Sequence, residues 1–251
     1  DLLVDMSVDL QAARALTYYS AFCVDLERGL ERRLEAGLDS DPEAVKQLRT
    51  EIRKYKSANK LLTPLAKYYS SEMSMRVANS AMAVLGGSGY MKDYPVERIL
   101  RDSRITTIYE GTSQLQVVAA IGGVMSGALA GIVDEVLGAR EWPAAVAPLV
   151  EQVRAGLKAL ETAVAYVKEH PEGIAYRDLY ARKLVDMAVD LLIAALFCDQ
   201  AAASERKLLV ARRWLGECLP RGRALQERIC SGETLTFTDF EALAVQPATA
   251  D

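Results

Sequence analysis

Leu149, Val153, Leu157, Leu160, Val164 and Val167 follow one another at intervals of 4, 4, 3, 4 and 3 residues. That order of intervals closes on one face of an α-helix and on no face of a β-strand. A second stripe of the same kind, Tyr180, Leu184, Met187, Leu191 and Cys198, comes one segment later. Each stripe leaves water only by packing on a neighbouring helix, so both are read as core seams. Composition agrees: 37 Ala and 32 Leu stand against 8 Pro and 7% aromatic residues, a mixture that favours helix over sheet. The predicted fold class is all-α, an up-and-down helical bundle with a further helical extension behind it.

A chain of 251 residues, 51% apolar and 25% charged, makes one large or two small domains and buries a real core. Its net charge is −4, with both signs interspersed. That leaves no basic stripe to neutralise phosphates and argues against nucleic acid as a partner. Cys23, Cys198, Cys218 and Cys230 have no paired C-x-x-C spacing, so neither a zinc site nor a disulfide framework is indicated, and a reducing cytoplasm fits them. The single histidine, His170, stands beside Pro171 and reads as an ordinary surface residue of an inter-helix loop. The chain opens on Asp1 and enters an apolar helical pattern at once with Leu2, Leu3, Val4 and Met6, which predicts a piece of a longer protein.

Along the chain, residues 1–36 read as a first helix stopped by Gly37. Ser40, Asp41, Pro42 and Glu43 combine a polar cap, an early proline and an acid three residues after the serine, and so announce a second helix. Thr63-Pro64 should kink or restart that helix, and Gly86-Gly87 should end it. Residues 88–110 read as irregular or short-helical, with Pro95 at a helix start. A further helix begins near Thr112, where Ser113 and Gln116 have capping-box spacing. Gly138 and Pro143 mark a boundary between domains 1–138 and 139–251. Past the two seams, a helix at 208–219 should break at Pro220 before the polar stretch 231–239, and residues 246–251 read as a frayed tail.

From Gly111 to Val133 there is no charged residue, and Ala119, Gly123, Gly127 and Gly131 recur at every fourth position. A small-residue stripe lets two helices approach closely, in water or in a bilayer. The strongly apolar part, 117–133, is short for a span and contains four glycines. The reading preferred is the central helix of a bundle, with no membrane span.

One acid stands out. Glu110 lies in Ile108-Tyr109-Glu110-Gly111-Thr112-Ser113-Gln114, between apolar and glycine neighbours at the mouth of a helix. A partly desolvated carboxylate there is a stronger base, suited to proton abstraction near neutral pH. An acid placed favourably beside a helix N-terminus is the plainer account. Local physics leaves both open.

The run from Leu85 to Gln114 carries Gly-Gly-x-Gly-Tyr, Tyr-Pro-Val-Glu-Arg, Arg-Asp and Ile-Tyr-Glu-Gly-Thr-Ser-Gln in order. It closely resembles the C-terminal domain signature of the acyl-CoA dehydrogenases. Val4-Asp5-Met6 and Ala12-Ala13-Arg14 resemble the family's preceding helix, so the likeness spans about residues 1–135. It implies an FAD enzyme that converts an acyl-CoA thioester to the trans-2-enoyl-CoA and passes electrons to an electron-transfer flavoprotein.

On that resemblance Glu110 falls on the catalytic base. Tyr109 and Gly111 fall on the substrate site, with the Gly111 amide meeting the thioester carbonyl, and Thr112, Ser113 and Gln114 fall on flavin contacts. A Gln-x-x-Gly-Gly segment that reaches the flavin of a neighbouring subunit in the family reads here Ala83, Val84, Leu85, Gly86 and Gly87. The glycines are kept and the glutamine is replaced by Ala83. Arg101 and Asp102 match a family pair read as structural. No metal is implied; a homo-oligomer is.

Residues 26–63 are longer and more charged than in the shortest members, and residues 139–251 resemble the added C-terminal domain of one branch. The family's upstream domains, which supply most of the pocket, would precede Asp1, so the chain taken alone is expected to be inactive. Rival readings are a non-catalytic helical oligomerisation module and an acyl-CoA oxidase-like enzyme on the same fold.

Overall fold

A computed structural model describes residues 1–37 and 41–245, all helix, turn and loop with no strand among them. Two long helices open the fold, α1 (Leu2–Glu35) and α2 (Pro42–Leu85). They run antiparallel. Tyr69 bonds Asp9, Asn59 bonds the Cys23 carbonyl and Lys56 pairs with Glu31, so positions rise on one helix as they fall on the other. Gly37, at φ +62, follows the end of α1. Ser40 lies outside the described residues; Asp41 is the cap, its carboxylate accepting from the Glu43 amide at 3.2 Å, with Pro42 in the first turn. Pro64 does not restart α2. The helix carries through it as one element to Gly86, because Pro64 is buried among the core residues Leu61, Leu62 and Leu65 of the same helix and the packing around it overrides the lost amide hydrogen bond.

Two short helices, α3 (Gly87–Tyr90) and α4 (Val96–Arg104, capped by Pro95), and a 3₁₀ turn at Ile105–Thr107 lead to α5 (Ser113–Met125) and α6 (Ala128–Leu137). The single helix expected over the uncharged run is therefore two helices, bent 78° apart. Gly127 makes the bend: it sits at φ +82, a left-handed conformation that costs a residue with a Cβ. The small-residue stripe is split by that turn, and only its Gly123 is packed tightly, against the Leu61 side chain of α2. No single described helix is long and apolar enough to cross a membrane; the bent pair passes by length and composition only.

Three long helices complete the fold: α7 (Ala147–Glu169), α8 (Ile174–Ala201) and α9 (Glu205–Ile229), followed by the short α10 (Leu235–Thr238) and α11 (Phe240–Ala244). Both seams are buried along their whole length. The central helix is α8, not the uncharged run. It packs on α1, α5, α6, α7 and α9, and Leu184, Leu192, Ile193 and Phe197 are fully enclosed, each worth about 1.5–3 kcal/mol of burial. One buried cluster runs from Val8 to Ile229 across the boundary expected at Gly138. Pro220 does not break α9: it lies on the exposed side while Trp214, Leu215 and Cys218, within the two turns before it, hold the helix on the core. The expected tail at 246–251 lies outside the described residues.

His170 is half-buried rather than a plain surface residue. Its ring stacks on Tyr176 at 3.6 Å between centroids, and its Nδ1 accepts from the Glu172 amide. All four cysteines are free thiols, three of them buried. Burial pushes the Cys198 thiol up to about 12, which makes it unreactive at neutral pH.

Candidate active site

The segment around Glu110 is fixed from behind by α2. Lys67, Ser71 and Ser74 share one face of that helix at spacings of four and three. Lys67 Nζ donates to Ser71 Oγ at 3.0 Å and to the Thr106 carbonyl, and lies 4.8 Å from the centre of the Tyr109 ring. Ser74 Oγ meets Thr106 Oγ1 at 3.1 Å, and Arg104 donates to Thr107 Oγ1 at 2.7 Å. The amides of Ile108 and Tyr109 both return to the Ile105 carbonyl at 3.0 Å. The 3₁₀ turn is thus tied to α2 through side chains and closed on itself through its backbone.

Past that turn the backbone reverses. Glu110 has φ +50, the one non-glycine with positive φ among the described residues, and Gly111 follows at φ +89. A side chain in that region carries strain of order 1–3 kcal/mol, which persists only where surroundings over-determine it. Gln116 provides part of the hold, its amide nitrogen reaching the carbonyls of Glu110 and Gly111 at 3.4 and 3.3 Å. Among the described residues no acceptor takes the Gly111 N–H.

Thr112 is extended and caps α5, its Oγ1 accepting from the Leu115 amide at 3.2 Å. The cap is therefore Thr112 and not Ser113, and the expected Ser113–Gln116 box does not form. Gln116 turns outward to the carbonyls before the helix instead, and the Ser113 hydroxyl is buried without a partner. Glu110 and Tyr109 are exposed, as are the apolar Ile105, Ile108, Leu115 and Val118 around them. The desolvation expected at Glu110 is not provided by this chain's own side chains.

Ala83, Gly86 and Gly87 sit at the other end of α4. Gly86 closes α2 at φ +58, its amide returning to the Ala83 carbonyl at 3.2 Å, and all three residues are exposed. No hydrogen bond or ion pair among the described residues joins them to the Glu110 segment. Gly89 beside them is buried so tightly that a Cβ would lie 2.8 Å from the Met82 carbonyl oxygen, which fixes the path of α3. Exposed Val84, Leu85, Tyr90, Met91 and Tyr94 flank this corner.

Arg101 and Asp102 do not meet each other. Arg101 turns back to the half-buried Glu97 at 2.9 Å and Asp102 to Arg98 at 3.5 Å, both as i,i+4 pairs on α4, the second fully exposed and worth little in water. Of the residues that hold the Glu110 segment, Lys67, Ser71, Ser74 and Arg104 were not singled out as site residues from sequence, and Gln116 was read only as a capping-box partner of Ser113. The signal that marks three of them is the polar i, i+4, i+7 row at Lys67, Ser71 and Ser74 on a helix otherwise rich in buried apolar residues.

The profile of the acyl-CoA dehydrogenase C-terminal domain matches residues 1–122. An acyl-CoA dehydrogenase of Bacillus subtilis is 37% identical over 115 residues, 45% of this chain and 22% of that protein. Among solved structures, Caenorhabditis elegans ACDH-11 in complex with C11-CoA superposes with a TM-score of 0.68 at 23% identity, over 93% of this chain and 40% of that one. An acyl-CoA dehydrogenase from Bacillus anthracis complexed with FAD gives 0.67 at 18% identity, over 98% and 44%. At those identities the structures show a shared fold alone. It covers residues 139–251 as well as the profile-matched part. The chain spans less than half the length of each of these proteins. Residues 1–122, just under half of the chain and with the Tyr109-to-Gln114 signature near their carboxyl end, carry the acyl-CoA dehydrogenase C-terminal domain.

Proposed function

We propose that this chain supplies the catalytic base and part of the flavin and thioester sites of an FAD-dependent acyl-CoA dehydrogenase, which makes a trans-2-enoyl-CoA from a saturated acyl-CoA. The observation that carries the reading is the Glu110–Gly111 reversal: a strained, externally braced carboxylate next to an uncommitted amide, at the start of a capped helix. Glu110 takes the α-proton of the thioester. The Gly111 N–H donates to the thioester carbonyl oxygen, stabilising the negative charge that grows there as the proton leaves.

The residues present fit a flavin. The first amides of α5 have no intrahelical acceptors and carry the positive end of the helix dipole, which suits an anionic cofactor. The buried Ser113 hydroxyl has no partner within the chain, and Gln114 is exposed. Ala83 offers no side-chain donor, so contact at that corner falls to the backbone of Gly86 and Gly87. FAD, when bound, supplies the acceptor for the β-hydride.

Exposed apolar residues around Glu110 and around Gly86 are of the kind that other protein surface covers, which supports a pocket completed by further domains and a homo-oligomer. Residues 1–138 then form the catalytic bundle and 139–251 an added helical domain on the same core. Electron-transfer flavoprotein as acceptor rests on the family resemblance, and the cytoplasm as location rests on the free thiols. The test is anaerobic titration of the flavin-loaded dehydrogenase with acyl-CoA. The wild type bleaches, and Glu110→Gln keeps its flavin but does not. A Glu110→Gln protein that bleaches fully removes Glu110 as the base. Rapid reoxidation by dioxygen instead of electron-transfer flavoprotein assigns an oxidase.

A further inference from the structure

The geometry points to Lys67 as the positioning residue for the catalytic segment: a cation on α2 that sets the Thr106–Tyr109 turn and so aims Glu110. The inference rests on the reading of Glu110 as base. Lys67 is half-buried, and none of the ion pairs among the described residues gives it a carboxylate partner. Its ammonium is spent on three neutral groups that all bear on one turn: the Ser71 hydroxyl at 3.0 Å, the Thr106 carbonyl, and the face of the Tyr109 ring at 4.8 Å.

A half-buried cation without a counter-charge is costly to hold, and a packing role is filled as well by an apolar side chain of the same length. What an apolar side chain lacks is the donor to Thr106 and the charge under Tyr109. Those two contacts grip the chain on either side of Ile108, directly before the residue held at φ +50. Gln116 grips it from the other side through the Glu110 and Gly111 carbonyls. The strained residue is therefore clamped from both ends. Lys67 is the half of the clamp that belongs to a different helix, and it ties the direction of the Glu110 carboxylate to the long α2 rather than to a loop.

The experiment pairs two measurements on Lys67→Met and Lys67→Arg. In the flavin-loaded dehydrogenase, Lys67→Met is expected to keep its flavin and a KM within about threefold of wild type while kcat falls about 10- to 100-fold, the scale of a misaimed reacting group; Lys67→Arg is expected to recover most of that loss. In the 251-residue chain, exchange of the Ile108 and Tyr109 amides, both bonded to the Ile105 carbonyl, is expected to speed up by about tenfold in Lys67→Met, with α8 unchanged. Unaltered kcat together with unaltered exchange overturns the proposal, and so does a loss that falls on KM or flavin binding instead of kcat. If Glu110→Gln still bleaches, the base reading fails while the exchange result decides the clamp separately. Should Lys67→Met not fold, Lys67→Arg decides: slow exchange and near-normal kcat support the clamp, and fast exchange in a folded Arg variant overturns it.

Discussion

The Tyr68 hydroxyl on α2 donates to Asp186 Oδ1 on α8 at 2.6 Å, joining the family-matched bundle to the helices that follow it. It is one link in a closed circuit around a crevice of about 450 Å³. Asp5 of α1 pairs with Arg213 of α9 at 2.7 Å, Asp9 of α1 accepts from Tyr69 of α2 at 2.9 Å, Glu72 of α2 pairs with Arg182 of α8 at 3.1 Å, and Asp190 of α8 with Arg221 of α9 at 2.8 Å. Polar contacts thus tie α1, α2, α8 and α9 to one another around the crevice, beside the apolar core they share.

Tyr68→Phe removes one donor and keeps the ring. Asp186, largely withdrawn from water and already pushed above the ordinary carboxylate range by that burial, is left short of a partner. The expected cost is about 1–3 kcal/mol. Urea denaturation checks it: a lower midpoint with an unchanged slope is the expected outcome, and an unchanged midpoint shows that Arg182 compensates.

Asp190 gives the crevice a pH dependence of definite sign. Burial raises its pKa to about 6, against the lowering pull of Arg221 and, more weakly, Arg76, with Asp186 adding to the rise; Tyr69 and Trp214 line the same wall. A carboxyl raised in the folded state weakens the fold while ionised. That penalty is complete above pH 6, relieved as pH falls through the folded pKa, and gone below the unfolded value near 4. The penalty is at most about 3 kcal/mol at pH 7. Asp190→Asn removes it, and the half-exposed Arg221 then turns to water. The melting temperature of Asp190→Asn minus that of wild type should therefore be larger at pH 7.5 than at pH 5.

Gly89→Ala tests the corner that carries Gly86 and Gly87. The new methyl meets the Met82 carbonyl oxygen at 2.8 Å and the Leu85 Cβ at 3.0 Å, atoms of a helix end that cannot swing aside. Overpacking of this kind costs about 1–3 kcal/mol. Thermal melting measures the cost, and flavin retention in the loaded dehydrogenase, expected to fall, shows whether the displaced corner touches the cofactor.

Periodicity reveals elements better than it reveals their junctions. The seams at Leu149–Val167 and Tyr180–Cys198 were legible because each residue's burial follows from its angle on one helix. The bend at Gly127 was not: a glycine that packs and a glycine that turns look alike in a small-residue stripe. Glu110 was visible through its motif. Its positive φ and its brace were not, because Lys67 lies 43 positions upstream and meets Thr106 only once α2 and the 3₁₀ turn are stacked. Exposure at Glu110 likewise follows from where the 3₁₀ turn and the start of α5 lie on the bundle, which no local pattern encodes.

Pro220 shows how packing overrides a local rule, and it can be measured. Inside α9 it donates no amide hydrogen to the carbonyl one turn back, a loss worth about 3 kcal/mol in a free helix, and it sits exposed, where little burial offsets that cost. Helix continuity comes instead from Trp214, whose Nε1 donates to the Asp190 carbonyl at 3.0 Å, and from Arg221, whose Nε and Nη2 both donate to Asp190 Oδ2. Pro220→Ala restores the missing donor without opening a cavity. It should raise stability by about 1–2 kcal/mol, the helix gain being partly offset by a freer unfolded chain. Chemical denaturation of the two proteins decides it, and a destabilised Ala variant means that the proline sets a curvature on which the Arg221–Asp190 pairing depends.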